Sequence, residues 1–182
     1  MKKVCVFLAP GFEECEALLV VDLLRRAGLD VTTAGLGGRT ITSSHAVAVQ
    51  ADALIQDVLN QEFDLLVLPG GMPGTLNLKA SSEVSHAVQA QYQAGRRLAA
   101  ICAAPSVLGG LGLLQGRKAV CYPGFEPQLE GAQVCTQPVV TDGTITTASG
   151  LGAAIPFALE LIGLLIDPET AQKVAGAIGW NH

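Results

Sequence analysis

The sequence predicts an α/β fold with a mostly parallel sheet that is covered by helices on both faces. Two observations lead to this prediction. Short, continuously apolar segments such as residues 4–9 end at Pro-Gly pairs, which is typical of buried parallel strands. Segments with helical periodicity, such as residues 14–27, alternate with these runs. An alternation of strands and helices favours parallel strand pairing, because two parallel strands must be joined by a crossover connection, which a helix provides.

The first half of the chain supplies the clearest elements. A strand over residues 4–9, a helix over 14–27 that stops at Gly28, and a strand over 31–34 make one strand–helix–strand unit. Residues 40–49 contain an alternating stretch, which indicates a small antiparallel excursion. The next buried strand, 64–68, is closed by Pro69-Gly70-Gly71.

The second half continues the alternation. A helix is predicted over 83–97, with Ser81 or Ser82 as its cap, and a short strand over 98–101 leads directly into Cys102. A further helix over 105–114 begins at proline. Strands at 134–140 and 144–147 flank a turn, a buried helix covers 151–165, and residues 168–177 close the chain. Without a linker or repeat, residues 1–182 are expected to form a single domain.

Composition excludes several classes of protein. With 49% apolar and 15% charged residues, the 182-residue chain is not expected to be disordered. The net charge of −5 and the scattered Lys and Arg residues argue against a nucleic-acid partner. No apolar run approaches the roughly 18 residues of a membrane span, and no signal peptide is visible. We therefore expect a cytoplasmic protein that binds no membrane and whose five cysteines are free thiols.

The end of the strand before Cys102 carries the most informative pattern. A nucleophile on a sharp strand-to-helix turn needs small neighbours two positions before and after it, because the backbone doubles back there. Ala100 and Ala104 meet that need. The amides and positive end of the following helix would favour the thiolate. The alternative is that Cys102 is an ordinary buried cysteine.

Two other strand ends could contribute to a site. The Pro69-Gly70-Gly71 turn leaves backbone amides free for an oxyanion, although an ordinary turn has the same sequence. Glu13 and Glu14 are expected to be solvated carboxylates at a helix start, where the helix dipole stabilises them.

Several familiar chemistries are not supported. The cysteine spacing contains no CxxC for a redox couple or a zinc ribbon, and no glycine-rich nucleotide loop follows a strand. We therefore expect neither a metal nor a cofactor. The histidines are His45, His86 and His182, so a Cys-His-carboxylate triad with its base downstream at a strand end is unsupported.

The motifs together resemble the DJ-1/ThiJ/PfpI superfamily, most closely its Parkinsonism-associated deglycase branch and the bacterial relatives of that branch. The resemblance covers nearly the whole chain. It rests on five motifs in the same order: residues 9–16 (APGFEECE), 22–28 (DLLRRAG), 68–71 (LPGG), 100–105 (AICAAP) and 149–152 (SGLG).

The resemblance implies a flavodoxin-like three-layer α/β/α sandwich, similar to class I glutamine amidotransferases, and a homodimer. It further implies that Cys102 is the nucleophile and that Glu16 is the acid whose carboxyl hydrogen-bonds the sulfur. A protonated Glu beside a thiolate is physically reasonable, since two negative charges in a buried pocket would repel. The remaining implied residues are the oxyanion-hole amides of Gly71 and Ala103 and the pocket residues Gly70, Tyr122, Cys15 and Gly150.

The sequence departs from the family pattern at three positions. Tyr122 stands where the human-like branch has a histidine, which removes a general base near pH 7. Ala103 stands where the intracellular-protease branch has a histidine, which argues against peptidase activity. His45 falls near a family arginine at the dimer interface.

Two functions follow from the resemblance. The first is a glutathione-independent glyoxalase or protein deglycase, in which Cys102 attacks a small 2-oxoaldehyde or a glycated substrate. The second is a redox sensor or chaperone-like stress protein, in which Cys102 oxidises to sulfinic acid without efficient catalysis. The loss of the histidine at Tyr122 favours the second function slightly. A link to thiamine biosynthesis has little support, because the chain has no phosphate loop of the kinase type.

Overall fold

Strands and helices alternate along residues 1–180, the part of the chain that the computed structural model describes. The strands are β1 (Lys3–Leu8), β2 (Asp30–Gly35), β3 (Thr40–Thr42), β4 (Ala48–Gln50), β5 (Ala53–Leu54), β6 (Leu65–Leu68), β7 (Arg97–Ile101), β8 (Lys118–Ala119), β9 (Gln133–Val134), β10 (Val139–Asp142) and β11 (Ile145–Ala148). The helices are α1 (Glu14–Arg26), α2 (Ile55–Val58), α3 (Gly74–Ala80), α4 (Ser82–Gln93), α5 (Pro105–Gly110), α6 (Ala154–Leu165) and α7 (Pro168–Ala177), with 3₁₀ turns at Glu126–Gln128 and Leu151–Ala153.

Seven strands form the central sheet in the order β10-β11-β7-β6-β1-β2-β5. Every neighbouring pair is parallel except β10 with β11. Strands β3 and β4 form the small antiparallel excursion that the alternating stretch predicts. These pairings confirm the predicted mostly parallel α/β sheet.

Side chains of the central strands alternate between two cores, although the strands are apolar throughout. Val4, Val6 and Leu8 of β1 pack in one core, which the inward faces of α1 and α6 complete. Cys5 and Phe7 point to the opposite face, where residues of α4 and α5 complete the second core. A sheet buried on both faces must be apolar along its whole length, which explains the continuous runs. The predicted three-layer sandwich is confirmed.

Two predicted helices are too long. The helix predicted to reach Arg97 ends at Gln93, because Gly95 adopts the left-handed backbone (φ +69°) and Arg97 already belongs to β7. Its cap is Ser81, whose hydroxyl accepts a hydrogen bond from the Val84 amide. Helix α5 ends at Gly110 rather than residue 114, and Gly112 is again left-handed (φ +72°).

The strand predicted over 134–140 is also wrong. It is two strands, β9 and β10, which pair with different partners on either side of Pro138, a residue that has no amide to donate. The helix predicted from residue 151 begins with a 3₁₀ turn and becomes an α-helix at Ala154. The sequence did not predict α2, α3, β5 or β8, which are short and lack strong periodicity.

Three loops converge at one edge of the sheet. Strands β7, β6 and β1 are consecutive neighbours, and Leu68 at the end of β6 is in register with Ala100 of β7. Their carboxyl ends therefore bring together the loops that begin after Leu8, Leu68 and Ile101, where ligand sites of parallel sheets occur. Among the described residues, no helix is long and apolar enough to cross a membrane.

Candidate functional site

Cys102 occupies a sharp backbone turn at the end of β7. Its φ of +64° is left-handed, a conformation that a residue with a side chain rarely adopts and that costs about 1–2 kcal/mol. Two hydrogen bonds hold it there. The Cys102 amide donates to the Ala148 carbonyl (2.9 Å), and its carbonyl accepts from the Tyr122 amide (2.8 Å). Ala100 and Ala104 are fully buried, as the predicted turn requires.

Glu16 reaches the same place from the first turn of α1. The helix starts here because the Glu13 carboxylate caps it and accepts a hydrogen bond from the Glu16 amide (2.6 Å). The Glu16 side chain turns into the protein and is 1% exposed. Its Oε2 accepts from the Gly70 amide (3.0 Å), and its carboxyl also hydrogen-bonds the Leu151 amide and Cys102.

Gly70 lies between the acid and the thiol. A Cβ atom at this position would be 2.5 Å from both Glu16 Oε2 and Cys102 Cβ. Neither group has room to withdraw easily, because one is buried in the core and the other is held by the strained turn. The absence of a side chain at Gly70 therefore permits the contact between carboxyl and sulfur.

The amides of Gly71 and Ala103 both donate hydrogen bonds to the Cys102 sulfur. Gly71 has a left-handed backbone (φ +90°), and a Cβ there would be 2.3 Å from the Glu13 amide nitrogen. The two amides that the resemblance assigns to an oxyanion hole thus point at the Cys102 sulfur. Developing negative charge near that sulfur would be stabilised by both.

The ionisation of the pair differs from the sequence-based expectation of a thiolate. Burial, followed by the charge and hydrogen bond of Glu16, raises the pKa of Cys102 to about 12, against the lowering effect of the Ala103 and Gly71 amides. Burial also raises the pKa of Glu16 to about 7. When Glu16 is ionised, the proton therefore remains on sulfur. A thiolate forms together with a protonated Glu16, since two buried negative charges repel.

The helix after Cys102 contributes less than expected to a thiolate. Helix α5 has six residues and begins only at Pro105, so the groups that favour negative charge on sulfur are the two loop amides rather than a long helix. The Ser106 hydroxyl donates a hydrogen bond to the Ala103 carbonyl (2.6 Å), which stabilises the turn.

Tyr122 and Gly150 adjoin the sulfur. An ideal Cβ at Gly150 would be 3.2 Å from Tyr122 Cδ2 and 4.0 Å from Cys102 Sγ. The ring edge and the sulfur therefore face one gap, which the glycine leaves open. Cys15 is placed elsewhere: it lies on the exposed side of α1, and burial and the charges of Glu13, Glu14 and Glu16 raise its pKa. It does not belong to the buried pair.

Histidine plays no part in this arrangement within the described residues. His45 pairs with Glu14 of the same chain (Nδ1 to Oε1, 3.0 Å), and its side chain is largely exposed. Ligand atoms of Glu13, Glu14 and His45 lie within 4.8 Å of one another, but helix capping and the ion pair account for them. His182 lies outside the described residues.

The Leu151 amide is the site group that sequence reasoning missed. It hydrogen-bonds the Glu16 carboxyl from a 3₁₀ turn far along the chain. The SGLG motif at residues 149–152 was the available signal, but a motif cannot show which backbone amide points at a carboxylate. Met72, next to Gly71, was likewise not singled out.

The geometry agrees with comparisons to known proteins. The model of the DJ-1/PfpI family matches residues 2–164. The chain belongs to the DJ-1/PfpI family. Drosophila melanogaster dj-1beta is 41% identical over 177 residues, which cover 96% of this chain and 95% of that protein. The crystal structure of Drosophila DJ-1beta superimposes with a TM-score of 0.96 at 38% identity, covering 100% of this chain and 99% of the other.

Two further members of the DJ-1/PfpI family bear on function. The structure titled Toxoplasma gondii DJ-1, oxidized, has a TM-score of 0.97 at 38% identity and covers 100% of each chain. A Caenorhabditis elegans relative, named glutathione-independent glyoxalase DJR-1.2, is 31% identical over 175 residues, or 95% of this chain and 94% of that protein. The resemblance of the fold to DJ-1 proteins is thereby confirmed.

Proposed function

We propose that the protein is a glutathione-independent glyoxalase that converts small 2-oxoaldehydes to 2-hydroxy acids. The carrying observation is the hydrogen bond between the Cys102 sulfur and the buried Glu16 carboxyl, with the Gly71 and Ala103 amides directed at the same sulfur. The name of the Caenorhabditis elegans relative supports this reaction class. A deglycase acting on early glycation adducts would use the same first step.

The reaction begins with a proton transfer. The ionised Glu16 takes the thiol proton of Cys102 as the sulfur bonds to the aldehyde carbon. The two amides stabilise the oxygen while it is negative. Glu16 then returns its proton to that oxygen, which gives a neutral hemithioacetal and an ionised carboxylate.

The second half is an internal redox exchange that needs no external oxidant. Glu16 removes the hydrogen of the former aldehyde carbon as a proton, giving an enediolate, and delivers it to the adjacent carbonyl carbon. The hydroxyl proton on the first carbon passes to the oxygen of the second. The first carbon is oxidised to a thioester and the second is reduced to an alcohol. Water cleaves the thioester and restores the thiol. Methylglyoxal and water thus give lactate.

The test compares lactate formation by the purified protein with that of Cys102→Ala. Cys135→Ala is the matched control, since Cys135 follows β9 and its sulfur contacts the Gln133 carbonyl rather than the site. We expect loss of activity in the first variant and full activity in the second. Equal rates for Cys102→Ala and the unmodified protein would sink the proposal.

A redox sensor is the second candidate, favoured by Tyr122 in the place of the family histidine. In this function, two equivalents of peroxide oxidise the Cys102 thiol to a sulfinate and are reduced to water. A protonated Glu16 would donate a charge-assisted hydrogen bond to the product. Intact mass after mild peroxide treatment should show two added oxygens on Cys102. Prior oxidation of exposed Cys15 would contradict this function.

We also infer a homodimer from the resemblance to the family, and a cytoplasmic location from the sequence. The assembly is checked by the mass of the purified protein in light scattering, where a dimer should have twice the 18.7 kDa of the chain. A monomer across the micromolar range would contradict the inference.

A further inference from the structure

Three half-exposed apolar residues lie on the loops whose backbone groups contact the Cys102–Glu16 pair. Met72 is 45% exposed, Tyr122 is 51% exposed and Leu151 is 49% exposed. They belong to three loops that are far apart in the sequence. We call these three side chains the apolar rim.

The backbone ties each member of the apolar rim to the reacting pair. Met72 follows Gly71, whose amide donates to the Cys102 sulfur. The Tyr122 amide donates to the Cys102 carbonyl (2.8 Å), and the Leu151 amide donates to the Glu16 carboxyl. All three residues are therefore fixed within one residue of a group that contacts the pair. Single exposed apolar side chains are ordinary, whereas several that are grouped at one site mark a binding surface.

Tyr122 offers the largest surface of the apolar rim. Its ring atom Cδ2 is 3.2 Å, and the Cys102 sulfur 4.0 Å, from the point that a Gly150 side chain would occupy. The ring edge thus lies at most 7.2 Å from the sulfur, the sum of those two distances. A planar substituent on a molecule bonded to sulfur can therefore reach the exposed half of the ring.

Three carboxylates lie at the start of the helix that carries Glu16. Glu13 caps α1, and Glu14 and Glu16 stand in its first turn. Burial, followed by the charges of all three, raises the pKa of Cys15 beside them. A ligand with a carboxylate next to its carbonyl would approach these negative charges, whereas a neutral ligand would not.

We propose that the apolar rim selects 2-oxoaldehydes with an apolar, preferably aryl, substituent, and that Tyr122 is the specificity-determining residue. This inference rests on the proposed function, because that function identifies the substrate as a 2-oxoaldehyde. The aldehyde carbon bonds to Cys102, and the substituent lies against the exposed half of the Tyr122 ring. An aromatic contact of this kind changes a rate by about three- to tenfold.

The first experiment compares phenylglyoxal with methylglyoxal as substrates. We expect kcat/KM for phenylglyoxal to exceed that for methylglyoxal by about three- to tenfold in the unmodified protein. Tyr122→Ala should lower both and abolish the preference, whereas Tyr122→Phe should retain it. Val134→Ala is the control, because Val134 is a similarly exposed apolar residue (47%) on β9. A preference unchanged in Tyr122→Ala would overturn the inference.

The second experiment requires no turnover and so separates the two proposals. Labelling of Cys102 by N-phenylmaleimide and N-ethylmaleimide is followed by peptide mass spectrometry, with exposed Cys15 as the reference in the same chain. We expect the phenyl-to-ethyl rate ratio at Cys102 to exceed that at Cys15 by about three- to tenfold, and to equal it in Tyr122→Ala. Equal ratios in the unmodified protein would overturn the inference. A raised ratio without lactate formation would refute only the glyoxalase.

Discussion

The buried Glu16 carboxyl hydrogen-bonds the Cys102 sulfur although the two residues come from different elements, α1 and the turn after β7. The contact exists because β1 and β6, and β6 and β7, are neighbours whose carboxyl ends meet at one edge. Burial raises the pKa of both groups; Glu16 raises the pKa of Cys102 further, whereas the hydrogen bond from Cys102 lowers the pKa of Glu16. In the proposed reaction, this pair would supply the proton acceptor and the nucleophile.

Replacing Glu16 with glutamine should affect two measurements in opposite directions. The variant loses its proton acceptor, so lactate formation should fall about 10²–10⁴-fold. It also loses the negative charge that, after burial, most raises the pKa of Cys102, so that pKa should fall. Iodoacetamide labelling of Cys102 at pH 8 should therefore be faster. Slower labelling together with lost activity would indicate a collapsed site instead.

The pH dependence of stability should reveal Glu16 as well. Burial raises its pKa to about 7 from its ordinary 4.5, so the folded protein binds the proton more tightly than the unfolded chain. The sign follows directly: the stabilisation by this proton is complete below about pH 4.5 and is lost as the pH rises through 7. The loss should amount to about 3 kcal/mol. Urea unfolding of the protein and of Glu16→Gln between pH 4.5 and 7.5 measures it, and parallel profiles would contradict the assignment.

The fold could be predicted largely from the sequence because its signals are local. The apolar run of β1 and the periodicity of α1 indicate their structures without reference to the rest of the chain. The Cys102 turn was predictable for the same reason, since Ala100 and Ala104 stand beside it. The protonation states of Cys102 and Glu16 could not be predicted, because it is tertiary packing that brings the Glu16 charge close enough to raise the pKa of Cys102. The Leu151 amide was missed for the same physical reason.

Substituting alanine for Gly70 should separate the pair. Its methyl group would be 2.5 Å from Glu16 Oε2 and from Cys102 Cβ, so the acid and the thiol would be forced apart. We expect a loss of about 1–3 kcal/mol in unfolding free energy and loss of lactate formation. Gly176→Ala in α7 is the matched control, because nothing lies within 4 Å of its Cβ position. That variant should be active and stabilised by about 0.5–1 kcal/mol. Full activity of Gly70→Ala would show that the contact is unnecessary.

Replacing Thr75 with valine should stabilise the protein, because the substitution removes a buried hydroxyl. Thr75 lies in the first turn of α3 and donates its amide to the Gly71 carbonyl (2.9 Å), but its Oγ1 has no hydrogen-bond partner within residues 1–180. An unsatisfied buried hydroxyl costs about 1–3 kcal/mol, so Thr75→Val should raise the unfolding free energy by about 1 kcal/mol.

Thr33→Val is the matched control for this substitution. Thr33 is also buried, but its hydroxyl donates to Asp52 Oδ2 (2.8 Å) and accepts from the Asp52 amide (3.0 Å). Removing it deletes both hydrogen bonds to the exposed Asp52, so this variant should lose about 0.5–1.5 kcal/mol. Urea unfolding at pH 7 compares the two. Equal destabilisation of the two variants would contradict this prediction, because it would mean that the Thr75 hydroxyl has a hydrogen-bond partner in solution. That hydrogen bond would then stabilise the loop that carries Gly71.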